Sequence, residues 1–240
     1  GQLAALLQSQ TGIGHHVLIV SESVFGMDGD CADIDVLVSL AQAHDALLYV
    51  DDAHATGLFG PGGFGLTAGR GGFVDLAMGT FGKALGSFGA YVACSRLLRD
   101  YLVQRCGGLI YSTALPPPVL GAIEAALEIL PKMEMERRKL QQQAARLRQA
   151  FVRQGWDCGA STTQIIPVIL GSEQAATRLA QNLLEAGILV PAIRPPTVPR
   201  GTSRLRFSLG AAHRPENIDH VIEVMKGLAP GFAPPEALAS

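Results

Sequence analysis

Short apolar runs alternate with longer amphipathic stretches along this chain, and the alternation predicts a layered α/β fold. The runs that predict buried strands in the first half are rich in β-branched residues and lie at residues 16–21, 46–50, 75–78 and 90–94. Apolar positions three and four apart predict helices at residues 2–9 and 35–44. Because ligands of open α/β sheets bind beyond the carboxyl ends of the strands, residues that directly follow these runs are candidates for a site.

A region with a different pattern follows residue 154. Before it, a long helical stretch begins near Pro118, and Pro131 is expected to kink or divide that helix. The strands and helices that the later pattern predicts lie at residues 164–170, 173–186, 188–193, 205–209 and 214–228. We therefore expect residues 1–132 to be part of a large α/β domain and residues 133–240 to form a small C-terminal α+β domain.

Composition and charge argue against several classes of function. The net charge of −2 over 240 residues gives no electrostatic basis for binding nucleic acid. No apolar run approaches the ~20 residues of a membrane-spanning helix, so we expect no membrane partner. The four cysteines form no CxxC pair, which argues against a zinc site or a disulfide framework and favours a cytoplasmic location. Since the chain opens at Gly1 without a methionine, we expect it to be the middle and end of a longer protein.

Chemically reactive side chains follow two neighbouring apolar runs. Residues 51–54 (DDAH) directly follow one run, and residues 80–83 (TFGK) follow the next. They place a carboxylate, an imidazole, a hydroxyl and an amine at neighbouring strand ends. A pyridoxal-phosphate site needs that set: an anion for the ring nitrogen, a hydroxyl for the phosphate and a lysine for the aldehyde. The apolar flanks of Lys83 predict a partly buried pocket, in which desolvation would lower the pKa of the amine.

The segment around Asp51 has three interpretations. An anion at Asp51 would keep a pyridine nitrogen protonated, while His54 could reach the phenolic oxygen of the ring or the substrate carboxylate. Alternatively, Asp51 caps a helix or forms a structural ion pair. The third interpretation is a metal site formed by Asp51, Asp52 and His54. No other histidine-carboxylate motif supplies the remaining ligands, so we predict no metal.

Further polar residues are candidate ligands of anions. Ser112 and Thr113 precede three prolines, where their hydroxyls either cap the helix that begins near Pro118 or bind a phosphate at its N-terminus. Arg204 and Arg206 alternate on a predicted strand, and we expect them to face opposite sides. An inward-facing arginine suits bidentate binding of a carboxylate.

Five segments, taken in order, resemble the α-oxoamine synthases. These are fold-type I (aspartate aminotransferase-like) pyridoxal-phosphate transferases that join an amino acid to an acyl thioester with loss of carbon dioxide. The segments are residues 27–30 (MDGD), 50–54 (VDDAH), 80–83 (TFGK), 110–113 (IYST) and 194–199 (RPPTVP). The resemblance implies the large domain of that fold, N-terminally incomplete here, and a small C-terminal domain. It also implies pyridoxal 5′-phosphate as the cofactor and a homodimer with sites at the interface.

The resemblance implies a catalytic role for three residues. Lys83 would bond the cofactor aldehyde and then move the α-proton of the bound amino acid. Asp51 would pair with the pyridinium nitrogen, and His54 with the phenolic oxygen.

The same resemblance implies which residues bind the phosphate and the substrate. Thr80 would hold the cofactor phosphate, with Thr113 and Ser112 reaching it from the neighbouring subunit. Arg206 would bind the substrate carboxylate, and Arg194, in the RPPTVP segment, is a second candidate for substrate binding.

Within the family, residues 193–199 look most like the biotin-pathway member, which condenses L-alanine with pimeloyl-CoA or pimeloyl carrier protein. The alternatives are a member of the glycine C-acetyltransferase or 5-aminolevulinate synthase type, a non-catalytic partner subunit of such an enzyme, and a metal hydrolase. The chain departs from the family pattern twice. Gly26 stands where we expect a serine. The family's ring-stacking histidine and phosphate-binding glycine turn belong to a region before Gly1.

Overall fold

The computed structural model describes residues 1–9 and 16–232, which belong to two compact units. The first unit contains the described residues of Gly1–Val24 and Ala32–Glu134, and the second contains Phe25–Cys31 together with the described residues from Met135 onward. A short early segment of the chain is therefore part of the second unit. Among the helices of these described residues, none is long and apolar enough to cross a lipid bilayer.

A four-stranded sheet forms the centre of the first unit. Its strands are β1 (Val17–Glu22), β2 (Ala46–Asp51), β3 (Leu76–Thr80) and β4 (Ala90–Cys94). They lie in the order β1-β2-β3-β4, with the first three parallel and β4 antiparallel to β3. Each strand coincides with an apolar run of the sequence. The carboxyl ends of β1, β2 and β3 meet at one edge of the sheet, which is where a ligand of such a sheet binds.

The core of this unit lies where β1 and β2 pack against the helices α1 (Gln2–Ser9) and α2 (Ile34–Ala43). The buried side chains that form it are Leu7, Ile19, Ile34, Leu37, Ala41, Leu48 and Val50. Helix α2 begins after Asp33, whose carboxylate accepts hydrogen bonds from the N–H groups of Asp35 and Val36, each at 3.1 Å. This cap fixes the start of the helix, and burial of its apolar face holds it on the sheet.

Three helices follow the sheet, namely α3 (Arg96–Arg105), α4 (Gly107–Ile110) and α5 (Pro117–Ile129). The sequence pattern does not predict α3, because none of its residues is buried and only Leu98 and Leu102 are half-buried. Helix α3 begins at Ser95, whose hydroxyl accepts a hydrogen bond from the Leu98 N–H at 3.2 Å. Helix α5 ends at a 3₁₀ turn, Leu130–Lys132, so the predicted division of the long helix at Pro131 is confirmed.

The second unit combines a three-stranded antiparallel sheet with three helices. The elements are α6 (Glu134–Arg153), β5 (Ile165–Gly171), α7 (Glu173–Glu185), β6 (Ala192–Ile193), β7 (Ser203–Ser208) and α8 (Pro215–Leu228). The sheet order is β5-β7-β6. The strand predicted at residues 188–193 is wrong over most of its length, because the Ile188 N–H closes the end of α7 by donating to the Leu183 carbonyl at 2.8 Å. The assignment of residues 1–132 and 133–240 as functional domains remains a prediction.

The early segment Phe25–Cys31 is bound within the second unit through Gly29. The carbonyl of Gly29 accepts hydrogen bonds from the Thr162 N–H at 3.0 Å, the Thr163 N–H at 3.2 Å and the Thr163 hydroxyl at 2.9 Å. Gly29 has a φ of +71°, and a Cβ on it would lie 2.0 Å from the Ile165 carbonyl oxygen. Only glycine fits there, because any side chain would push the segment off β5.

The buried thiol of Cys158 provides a test of this unit's packing. Burial raises the pKa of Cys158 to about 12, the neighbouring Asp157 adds to the rise, and Arg148 opposes it. In the unfolded chain the thiol ionises from pH 9 upward, whereas the folded chain keeps it protonated. The free energy of unfolding should therefore fall by about 1 kcal/mol per pH unit from pH 9 towards pH 12.

Urea unfolding of the wild type and of Cys158→Ala between pH 8 and 11 measures this effect. The wild type should lose stability relative to the variant above pH 9, because the variant lacks the ionising group. A constant difference between the two across this range would show that Cys158 ionises equally in both states. As a control, the exposed Cys106 should react quickly with a thiol reagent at pH 8 while Cys158 does not.

Candidate functional site

Asp51 lies at the carboxyl end of β2, at the predicted edge of the sheet. It is the last residue of the strand and pairs in register with Met78 of β3. Its carboxylate accepts a hydrogen bond from the Ala53 N–H at 2.8 Å, which turns the chain away from the sheet. The next N–H, that of Asp52, donates to the Met78 carbonyl at 2.7 Å. The turn that carries His54 is thereby fixed to β3.

The neighbouring carboxylate, Asp52, is buried and serves the local structure. One of its oxygens accepts from the Ser23 hydroxyl and from the Leu66 N–H (3.2 Å), and the other accepts from the Thr67 N–H (2.9 Å) and hydroxyl (2.6 Å). A Cβ on Gly65 would lie 2.2 Å from this carboxylate, so the surrounding loop is built closely around it. Such a carboxylate is fully occupied by protein donors. Among the described residues, no three His, Cys, Asp or Glu side chains are grouped to hold a metal ion.

The structure brings Lys83 and His54 together. The Lys83 Nζ lies 3.2 Å from His54 Nε2, although 29 positions separate the two residues. The prediction that Lys83 lies in a partly buried pocket is wrong, because the side chain is exposed. Its loop closes on itself, with the Phe81 N–H donating to the Gly89 carbonyl at 2.9 Å, and the apolar flank Phe88 is 66% exposed instead of covering the amine.

Gly57 allows the lysine loop to approach the turn that carries His54. A Cβ on Gly57 would lie 2.4 Å from the Cβ of Ala84, the residue after Lys83. Gly57 also has a φ of +93°, and its N–H donates to the Gly63 carbonyl at 2.7 Å. The sequence does not predict the role of this residue, since a contact between distant loops leaves no periodic pattern.

Thr80 ends β3 and organises the lysine loop. Its hydroxyl donates to the Gly89 carbonyl at 3.0 Å and accepts from the Gly82 N–H at 3.2 Å. In this structure the single hydroxyl proton of Thr80 is therefore directed at the Gly89 carbonyl of the lysine loop. Its role in holding a phosphate remains a prediction, which requires that proton to turn from Gly89 towards the anion.

Ser112 and Thr113 lie in the exposed linker between α4 and α5. The Ser112 hydroxyl donates to the Gly108 carbonyl, within its own preceding turn. Pro116 is the N-cap residue of α5, and no side chain caps that helix. The alternative in which these hydroxyls cap the helix is therefore wrong, and phosphate binding by Ser112 and Thr113 remains a prediction.

The arginines of β7 lie in the second unit, and both contact the segment Phe25–Cys31. Arg204 is buried and donates to the Asp28 carboxylate, while Arg206 Nε donates to the Gly26 carbonyl. The prediction that they face opposite sides is wrong, because residues two apart on a strand project from the same face. Where we expected a serine, the Gly26 backbone thus binds Arg206. Arg194 is exposed and follows β6.

The predicted residues therefore fall into separate groups. Asp51, His54, Thr80 and Lys83 cluster at the carboxyl edge of the first sheet, and the arginines lie in the second unit. The architecture is that of the fold-type I pyridoxal-phosphate-dependent transferases, as predicted. The chain belongs to the aminotransferase class I and II family, whose model matches residues 1–225.

The curated relatives that the chain matches carry the name of one enzyme of this family. The chain is 59% identical over 206 residues to a putative 8-amino-7-oxononanoate synthase of Desulfosudis oleivorans, covering 86% of the chain and 53% of that relative. It is 51% identical over 234 residues to the 8-amino-7-oxononanoate synthase of Gluconacetobacter diazotrophicus, covering 97% and 58%. The chain thus spans little more than half the length of these relatives. The predicted resemblance to the α-oxoamine synthases is confirmed.

Solved structures also support the resemblance to the α-oxoamine synthases. A serine palmitoyltransferase of Sphingomonas wittichii is similar with a TM-score of 0.89 and 32% identity, over 97% of this chain and 59% of that one. An 8-amino-7-oxononanoate synthase of Francisella tularensis gives a TM-score of 0.79 and 27% identity, over 95% and 67%. Another neighbour, the serine palmitoyltransferase of S. paucimobilis, was solved with a bound pyridoxal-phosphate adduct of myriocin (TM-score 0.89, 29% identity, 96% and 58% covered). The cofactor class predicted from the sequence is confirmed.

Proposed function

We propose that the protein containing this chain catalyses the pyridoxal-phosphate-dependent condensation of L-alanine with a pimeloyl thioester. Carbon dioxide is lost and 8-amino-7-oxononanoate is formed for biotin biosynthesis. The observation that carries the proposal is the pair formed by Lys83 and His54, with 3.2 Å between Nζ and Nε2, beside the strand end that bears Asp51. The names of the curated relatives support this choice of reaction within the family.

The donor set at the sheet edge fits the cofactor. Asp51 supplies an anion for a pyridine nitrogen, Lys83 an amine for an aldehyde, and His54 a ring nitrogen that fixes that amine. When bound, pyridoxal phosphate supplies an electron sink for carbanion chemistry. The Asp51 carboxylate strengthens such a sink by keeping the ring nitrogen protonated.

Each remaining residue has a proposed task in the reaction. Lys83 Nζ takes the α-proton of the amino acid, and His54 holds that nitrogen in place through its hydrogen bond. Arg206, whose Nε is fixed by the Gly26 carbonyl, binds the substrate carboxylate. Arg194 is assigned a secondary part in substrate binding.

The proposed assembly is a homodimer. Ser112 and Thr113, both exposed, are assigned to the cofactor phosphate of the neighbouring subunit, alongside that subunit's own Thr80. The cytoplasm is the proposed location, which is supported by four cysteines that are all free in the structure.

The experiment combines cofactor capture with an assay of the product. The protein is incubated with pyridoxal phosphate, reduced with borohydride to make the lysine–cofactor bond permanent, and mapped by peptide mass spectrometry. We expect a single pyridoxyl label on Lys83. A second sample, loaded with pyridoxal phosphate but not reduced, should convert L-alanine and pimeloyl-CoA or pimeloyl carrier protein to carbon dioxide and 8-amino-7-oxononanoate.

Other outcomes identify the alternatives. A label on Lys83 with turnover only of glycine and a short acyl-CoA would overturn the choice of substrate and favour another α-oxoamine synthase. The absence of any label and of any product would overturn the proposal and favour a non-catalytic partner subunit.

A further inference from the structure

Tyr91 lies between the turn that carries His54 and the loop that carries Lys83. It lies on the edge strand β4, opposite Gly79 of β3. A Cβ on Gly79 would lie 2.4 Å from the Tyr91 hydroxyl oxygen and from the ring carbon that bears it. The aromatic ring therefore lies directly across the backbone of β3, and only glycine at position 79 leaves room for it. This placement carries the hydroxyl over β3 to the turn that follows β2.

The hydroxyl of Tyr91 reaches Thr56, and the direction of the hydrogen bonds can be assigned. The Tyr91 and Thr56 hydroxyl oxygens are 3.2 Å apart, and Thr56 donates its only hydroxyl proton to the Asp52 carbonyl at 3.0 Å. Tyr91 must therefore be the donor to Thr56. Thr56 is 2% exposed, so this chain of hydrogen bonds is shielded from water. It ties Tyr91 to both ends of the turn that carries His54.

The ring of Tyr91 contacts the lysine segment as well. It packs on Phe81 with 5.1 Å between ring centroids and 39° between ring planes. Phe81 is two residues before Lys83, and its N–H closes the loop on Gly89. A single side chain thus touches the turn of His54 through its hydroxyl and the loop of Lys83 through its ring.

We propose that Tyr91 is a positioning residue that sets the separation of His54 and Lys83. The proposal rests on the proposed function, because it assigns Tyr91 a part in the same reaction. The Tyr91 ring packs against Gly79 and Phe81 and thereby holds the lysine segment. The Tyr91 hydroxyl aligns the His54 turn through Thr56. Loss of the hydroxyl alone should lower kcat about three- to tenfold, which is the rate equivalent of one ordinary hydrogen bond.

The test separates ring from hydroxyl and also has a measurement that needs no cofactor. Tyr91→Phe keeps the ring and removes the donor, and Thr56→Val removes the acceptor. Thr56→Ser keeps that hydroxyl, and Tyr101→Phe is the matched control at an exposed tyrosine. In cofactor-free protein, the rate at which an amine reagent labels Lys83 relative to Lys226 reports the surroundings of the Lys83 amine.

Tyr91→Phe and Thr56→Val should each change that relative rate at least about threefold, in the same direction as His54→Ala. Thr56→Ser and Tyr101→Phe should leave it within twofold of the wild type. In a His54→Ala background, Tyr91→Phe should add no further change, because Tyr91 acts through His54. The fall in kcat should follow the same order of variants.

Two outcomes would overturn the proposal. One is an unchanged Lys83 labelling rate in Tyr91→Phe, even if thermal stability falls, since that describes a purely structural residue. The other is full additivity of Tyr91→Phe and His54→Ala. Failure of the proposed function is distinguishable, because the labelling result stands whether or not alanine and a pimeloyl thioester react.

Discussion

Replacing Lys83 with alanine is expected to abolish both the covalent capture of pyridoxal phosphate and turnover. The variant loses the amine that bonds the aldehyde and the base that moves the α-proton, so kcat should fall by at least about 10³-fold. Lys83 is exposed on a loop that closes through backbone hydrogen bonds, and the fold should therefore survive the change. Borohydride reduction with peptide mapping and a carbon dioxide release assay measure the two losses.

Lys226→Ala is the matched control. It removes an exposed lysine from α8, far along the chain from the proposed chemistry, and should retain both the label and the rate. Circular dichroism of both variants checks that the fold is kept. Turnover in Lys83→Ala close to that of the wild type would show that the nucleophile has been assigned to the wrong residue.

Gly57→Ala is expected to damage the site without touching any reactive group. The added methyl would lie 2.4 Å from the Cβ of Ala84, so the lysine loop must move away from the turn that carries His54. Displacing a catalytic group by about 1 Å lowers rates on the order of 10²-fold. We expect a loss of kcat of that size, together with a change in the Lys83 labelling rate.

Gly69→Ala separates the clash from the backbone strain. Gly69 has a φ of +83°, close to the +93° of Gly57, but a Cβ there would meet nothing within 4 Å. Both variants carry the cost of a side chain at positive φ, and only Gly57→Ala adds the steric overlap, worth about 1–3 kcal/mol. Urea unfolding should therefore show the larger loss of stability in Gly57→Ala. Equal losses of stability and of rate in the two variants would contradict the steric role of Gly57.

The sequence predicts the layered fold and the strands of the first unit because burial leaves a direct record in it. Residues such as Leu48 and Val50 are fully buried in β2, and the run that contains them is almost continuously apolar. Helix α3 is not predicted in this way because none of its residues is fully buried. Residues 188–191 are apolar as well, yet they form a connection without regular secondary structure between α7 and β6. An apolar run alone does not reveal its hydrogen-bonding partners.

The candidate site likewise has features that the sequence predicts and features that it does not. Asp51, His54 and Lys83 are predictable because both their residue type and their position after apolar runs can be read from the sequence alone. Two predictions were wrong in geometry, although the residues were chosen for the right chemistry. They are the partly buried pocket of Lys83 and the opposite faces of Arg204 and Arg206.

Contacts between distant parts of the chain are beyond pattern analysis. The methyl group of Ala84 that makes Gly57 necessary, and the Tyr91 ring that makes Gly79 necessary, are examples. A glycine of this kind is recognised only once its neighbour in space is known.

The membership of Phe25–Cys31 in the second unit has a consequence for synthesis on the ribosome. The Thr163 hydroxyl that binds Gly29 is made 134 residues after Gly29, and Arg204, which binds Asp28, is made 176 residues after Asp28. At 5–20 residues per second, the segment remains without these partners for on the order of ten seconds. Strand β7 must then bind a loop that left the ribosome well before it. Nascent chains arrested before β7 should therefore expose this loop to proteases even after the first sheet has folded, and slow closure over so long a separation is expected to limit the rate of folding.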